Sequence, residues 1–264
     1  MSFRLPRLQL FEFNDLPWVP AAVRDTVVES LTRTLAWGRM LDGLVAPFQA
    51  FLRDTGAREV LEIGSGAGGP ASILSRAIVR GGGVSPRFIL TDLHPRIEVW
   101  ERARRAQPEC IDFEASSVDA THVPAELGRG RARSVVNVLH HFPRELATAV
   151  FEDAVRGSPG IFVAEGFERN PLMFANFAVA GLPALALNPI LSPKDRLAKA
   201  ALTWLSPVAL GVSMWDGLVS TLRVWSEEEL RDMVAPFGGH WRWDYGTYDY
   251  LPYGRGYFFR GVPR

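Results

Sequence analysis

Residues 59–74 read EVLEIGSGAGGPASIL. A short aliphatic run breaks into four glycines within six positions, Gly64, Gly66, Gly68 and Gly69, and then into a helix-forming segment. Glycine lets the backbone pass close to a ligand, and the first turn of a helix presents free amides beside it. The spacing satisfies G-x-G-x-x-G. Taken alone, that pattern fits a dinucleotide, a nucleoside sulfonium or a plain strand-to-helix turn.

Working outward, strand-like and helix-like stretches alternate. RFILTDL (87–93), IDFEASSVD (111–119), SVVNVLH (134–140) and GIFVAEG (160–166) read as the second to fifth strands. RIEVWERARRA (96–106) and PRELATAVFEDAV (143–155) read as helices between them. Such alternation predicts a parallel sheet covered on both faces, with ligands beyond the carboxyl ends of the strands. SEEELRDMVAPFGG (226–239) reads as a capped helix that stops at a glycine pair. HWRWDYGTY (240–248) and GRGYFFRGV (254–262) then close the sheet. The expected fold is α/β: a Rossmann-like, seven-stranded, mostly parallel sheet. Before it, helices are expected from Asp25 (DTVVESLTRTLAW) and over MLDGLVAPFQAFLRDTG to Gly56. The division expected is an N-terminal helical flap over 1–56, a core over 57–169 and 224–264, and a cap inserted over 170–223.

The chain has 264 residues, 47% hydrophobic and 22% charged, enough to bury a sizeable core. Lys+Arg and Asp+Glu both number 29, so no polyanion-binding surface and no nucleic acid partner are expected. The single cysteine, Cys110, excludes a disulfide framework and a cysteine zinc site. The five histidines are dispersed apart from His140 and His141, so no metal is expected. The start, MSFRLPRLQLFEF, lacks the apolar core of a signal peptide, and a cytoplasmic location is expected. Oligomeric state is left open.

Carboxylates narrow the choice of ligand. Glu62, two residues before the first glycine, suits a cationic ammonium better than a pyrophosphate. Asp92 ends the second strand, where a ribose diol would sit. Asp119 follows the third strand and offers another acceptor. No separate catalytic domain for a nicotinamide cofactor is evident. VLEIGSGAGGP, ILTDLHP and SSVDAT together resemble the first three motifs of the class I S-adenosylmethionine-dependent methyltransferases, over Glu59 to Gly166 plus the final helix and strand pair. The resemblance implies S-adenosyl-L-methionine as cofactor. It places the loop of Gly64, Ser65, Gly66 and Gly68 by the methionine part, Asp92 with Leu93 at the ribose, and Asp119 with Val118 at the adenine. Asn137, in the fourth strand, completes the cofactor set. LFEFNDLPWVPAAVRD, GAGGP, SVDATHVP, LHHF and MWDGLVSTLRVWSEEEL are similar to a narrower bacterial family of such enzymes, which brings no substrate with it. Many of those relatives carry Asp and Cys where Glu62 and Ile63 stand.

Methyl transfer asks mainly for alignment of donor and acceptor, with a base where the acceptor is a hydroxyl or a protonated amine. His140 and His141, past the fourth strand, are the candidate bases. His141 is preferred because it lies further along, and a structural role for either is the competing reading. Glu165 and Glu168 could touch the acceptor, although a salt bridge to Arg169 is the simpler account of Glu168. Trp215, Asp216 and Arg223 adjoin the insertion. Asp216 and Arg223 are seven apart on one helix face, so an ion pair anchoring a lid competes with substrate contact. Glu12, Phe13 and Trp18 could form a flap over the cofactor, or simply pack.

Asn170 to Pro193 carries no charge and is long enough to cross a bilayer, but Pro171, Pro183, Pro189 and Pro193 argue against a spanning helix. Ala200 to Trp215 is also uncharged. A cap of short helices over an apolar substrate pocket is preferred, with peripheral membrane contact as the alternative. The function expected is methylation of a small hydrophobic acceptor at oxygen or nitrogen, with carbon not excluded. The competing functions are a catalytically altered cofactor-binding protein, a nicotinamide oxidoreductase and a membrane-associated scaffold.

Overall fold

The computed structural model describes residues 6–251 and 254–264. They divide into two compact units. A sheet unit takes Leu41–Gly166, Trp225–Tyr248 and Gly256–Arg264, and a helical unit takes the described parts of Met1–Met40, Phe167–Val224 and Asp249–Arg255. The flap expected over 1–56 therefore divides at Met40, and its first part shares a unit with the 170–223 insertion.

The sheet has seven strands in the order β3-β2-β1-β4-β5-β7-β6. They are β1 (Glu59–Ile63), β2 (Arg87–Thr91), β3 (Ile111–Phe113), β4 (Ala132–Val136), β5 (Ile161–Glu165), β6 (Trp241–Tyr250) and β7 (Gly254–Pro263). The first five pair in parallel and β7 runs antiparallel to β5. Strand order reverses at β1, flanked by β2 and β4, so a ligand crevice belongs beyond the ends of β1 and β4. Every residue of β4 and β5 is buried, as a parallel sheet covered on both faces requires.

The sheet unit's helices are α2 (Val45–Thr55), α3 (Gly69–Arg80), α4 (Ile97–Ala106), the short α5 (Ala125–Gly128), α6 (Arg144–Gly157) and α11 (Glu227–Val234). Helix α2 lays Phe48 and Phe51 on the sheet. Phe48 stacks on Phe88 at 5.8 Å and meets Phe162 edge-on at 5.0 Å. Helix α11 starts with a reciprocal cap between Ser226 and Glu229. The third strand is shorter than 111–119. After Phe113 the chain turns away, its Glu114 amide bonding to the Leu90 carbonyl and its Val118 amide to that of Asp92. Helix α5 was not expected.

The helical unit holds α1 (Ala21–Trp37), α7 (Pro171–Ala186), α8 (Asn188–Leu191), α9 (Arg196–Ala200) running into a π-helical turn (Ala201–Leu205), and α10 (Val208–Arg223). Helix α1 starts four residues before Asp25, because the Pro20 carbonyl accepts the first helical amides. It packs against α7, α8, α9 and α10. Lys199 is fully buried and donates to Glu29 at 2.9 Å and to Ser192 at 2.6 Å. The insertion holds two helices of 16 residues, α7 and α10, with the short α8 and α9 between them. Among the described residues no single helix is long and apolar enough to cross a membrane.

Candidate functional site

The loop after β1 is built around three left-handed glycines, Gly64 (φ +66°), Gly66 (+50°) and Gly68 (+69°). Two of them are packed. A Cβ on Gly64 would meet Val138 at 2.6 Å, and one on Gly68 would meet Leu90 at 2.8 Å. A Cβ on Gly66 would meet nothing within 4 Å, so the middle glycine leaves one side of the backbone open. The turn is held from below. Ser65 donates its amide to the Thr91 carbonyl and its hydroxyl to the Glu62 carbonyl, while its Oγ accepts the Thr91 amide. The Trp100 indole donates to the Gly66 carbonyl at 2.9 Å.

Three carboxylates surround this loop in sequence, and the structure gives them different environments. Asp92 Oδ2 accepts the Gly66 amide at 2.8 Å and Oδ1 the His94 amide at 2.8 Å, so it joins the end of β2 to the open glycine. Leu93 beside it is 55% exposed. Asp119 is exposed and accepts from the Thr121 amide and hydroxyl, which hold its carboxyl below the usual carboxylate range. Val118 is buried. Glu62 is buried in the sheet, with the Ser134 hydroxyl of β4 donating to it at 2.5 Å. Burial pushes its carboxyl up to about 7, against the lowering effect of that hydroxyl.

A second cluster lies at the ends of β4 and β5. Asn137 is left-handed (φ +57°), a rare conformation for a side chain with a Cβ, and its Oδ1 accepts the Gly166 amide at 2.7 Å. His140 is 3% exposed, with Nδ1 2.8 Å from Glu165 Oε2 and its amide donating to Oε1 at 3.1 Å. The rings of His140 and His141 lie 4.2 Å apart, and His141 is half-buried. The Trp225 indole donates to the Leu139 carbonyl, fixing the turn that carries both histidines. Glu165, expected at the acceptor, is fully buried and is the carboxylate partner of His140. Periodicity could place Glu165 at a strand end, but not the backbone turn that brings His140 to it.

The remaining candidates belong to the helical unit. Asp216 accepts the Phe13 amide at 2.7 Å and the Asn14 amide at 3.1 Å, and burial raises its carboxyl against these bonds. Arg223 donates to Glu12 at 3.0 Å and to Asp15 at 2.8 Å. The seven-residue spacing puts both groups where they tie the N-terminal segment to α10. Phe11 joins Phe13 and Trp215 with ring centres 5.3 Å apart, and the Trp215 indole donates to the Phe11 carbonyl. Trp18 is 70% exposed. A groove of about 520 Å³, lined by residues such as Leu52, Arg58 and Pro86, lies at the amino ends of β1 and β2, the opposite end of those strands from the glycine loop.

No protein-family model matches this sequence, and neither does any curated protein. The structure is similar to that of the plantazolicin methyltransferase BpumL in complex with SAH, at 9% identity and TM-score 0.57, over 94% of this chain and 93% of that one. It is also similar to a protein from Nostoc punctiforme assigned as an O-methyltransferase, at 14% identity and TM-score 0.52, over 97% of this chain and 64% of that one. At such identities the likeness is one of architecture. The chain has the class I methyltransferase fold.

Proposed function

We propose that the protein is an S-adenosylmethionine-dependent methyltransferase acting on oxygen or nitrogen of a small hydrophobic molecule. One observation carries the reading: a loop of three left-handed glycines at the strand-order reversal, open at Gly66 and bonded there to Asp92. Closed backbone on two glycines and open backbone on the third suits a ligand laid against the loop. In this reading Ser65, Gly66 and Asp92 hold the cofactor's methionine and ribose parts, with Leu93, Val118 and Asp119 around its base.

When bound, S-adenosylmethionine supplies an electrophilic methyl group on a sulfonium sulfur that leaves as a neutral thioether. His140 acts as the base in preference to His141. An ionised carboxylate only accepts, so beside Glu165 the neutral His140 ring carries its proton on Nδ1 and takes the acceptor's proton at Nε2. Glu165 is the positioning residue that sets this tautomer and stabilises the imidazolium formed. The uncharged stretch from Asn170 to Pro193 following β5 supports a hydrophobic acceptor over a phosphate-bearing one.

Calorimetric titration with S-adenosylmethionine, S-adenosylhomocysteine and NAD tests the cofactor. Binding of the first two alone is expected. Gly66→Ala, whose added methyl meets no neighbour but whose left-handed backbone strains any L residue, should weaken that binding about tenfold or more and lower the melting temperature by only about 2–4 °C. Heat with NAD and none with the sulfonium pair would overturn the reading. Cofactor binding with no S-adenosylhomocysteine released across an acceptor screen would leave a binding protein instead of an enzyme.

A further inference from the structure

Helices in water bury their apolar stripe and expose their polar one. From α7 to the π-helical turn the outward stripe is apolar as well. Along α7 and α8 the exposed positions recur every three or four residues and include Val179, Leu182, Ala186, Leu187, Ile190 and Leu191. Among the described side chains, Asn176 is the single polar group on that face. Along α9 and the π-helical turn the exposed stripe is Leu197, Ala198, Ala201, Trp204 and Leu205, with Leu197 89% and Leu205 84% exposed. The polar groups point the other way: Asn188, Ser192 and Lys199 are fully buried. The two stripes adjoin, since α7 packs on α8 and on the π-helical turn, and the Trp204 indole donates to the Ala186 carbonyl at 2.9 Å.

We propose that this face of the helical unit lies on the surface of a lipid bilayer bearing anionic headgroups. A protein partner would ask for hydrogen bonds, about one per 100–200 Å² of interface, and these stripes offer almost none. Acyl chains ask for none. The segments Arg196–Leu205 and Val208–Arg223 are together as apolar as a membrane span, but they bend by 81°. Their lengths of about 15 Å and 24 Å are each short of a hydrocarbon core of about 30 Å, so they lie in the interface instead of crossing it. Lys194 on the link between α8 and α9 and Arg196 at the start of α9 are exposed beside Asp195, leaving a net positive charge at the edge of the stripe for anionic lipid.

Flotation of the full chain with phosphatidylcholine vesicles, with and without phosphatidylserine, tests this. The protein should float with both and more strongly with the anionic ones. Leu197→Glu with Leu205→Glu should cut the lipid-bound fraction about tenfold or more while its circular dichroism and its calorimetric cofactor titration stay unchanged. That titration reads the methyltransferase proposal separately. As a check that needs no charged variant, brominated lipid should quench the tryptophan emission of the native chain, and Trp204→Phe should lose part of that quenching. No flotation, or no quenching, overturns the proposal. So does a vesicle-free dimer that the double Glu variant converts to monomer by light scattering, which would assign the face to a second copy of the chain.

Discussion

In the sheet unit four large apolar side chains are exposed, Val79, Val84, Leu93 and Leu146, whereas the described residues of the helical unit expose eighteen. The sheet unit hides its aliphatic strands because helices cover both faces of a hydrogen-bonded layer, and Leu61, Phe88 and Phe162 lose all contact with water. The helical unit has no such layer. Its helix α7 is apolar nearly all round, and one set of neighbours cannot cover every face of it. A charge-free stretch of chain can therefore mean either a sealed interior or a surface that meets something other than water. Where the buried polar groups lie tells the two apart.

The largest effects expected bear on the chemistry of the sheet unit. Glu165→Gln and His140→Gln should each lower kcat about 10²- to 10⁴-fold and remove the acidic limb of its pH profile, while His141→Gln does less. Equal losses at all three positions would return the base to the histidine pair as a whole.

Next come two buried ion pairs, one in each unit. Asp153→Ala would strand Arg133, which is 2% exposed, and should destabilise the sheet unit by about 3–5 kcal/mol in urea unfolding. Glu29→Ala should do less to the helical unit, about 2 kcal/mol, because Glu29 is 24% exposed and water screens the change around Lys199. Two separate transitions, each moved by its own variant, would sharpen the contrast between the units. A single shared transition would break it.

A pH dependence of comparable size completes the series. Glu62 ionises near 4.5 when unfolded and at about 7 when folded. Its contribution is therefore fully present below pH 4.5 and is lost as pH rises to about 7, by about 3 kcal/mol. Glu62→Gln should flatten that slope in denaturant titrations across the same range. A slope that persists in the variant would place its origin elsewhere.

The glycine loop, Asp92 and six of the seven strands were legible because local rules govern them: an aliphatic run bounded by glycine, and acids at strand tips. The third strand was overextended because its last residues bond to β2 as a loop, a choice made by a neighbour 20 or more residues away in sequence. Asp216 and Arg223 share a helix face as their spacing requires, but their partners come from residues 10 to 15, which no periodicity connects to them. Glu62 was legible as a carboxylate at a strand end. Its burial was not, because Ser134 reaches it only when β4 lies beside β1.

By itself the sequence determined which segments could be strand, turn or helix, since hydrophobic period and glycine placement act within a few residues. Only the tertiary structure decided which histidine Glu165 serves, which glycine stays open and which face of the apolar helices points outward. Each of those depends on neighbours that chain folding brings together from far apart.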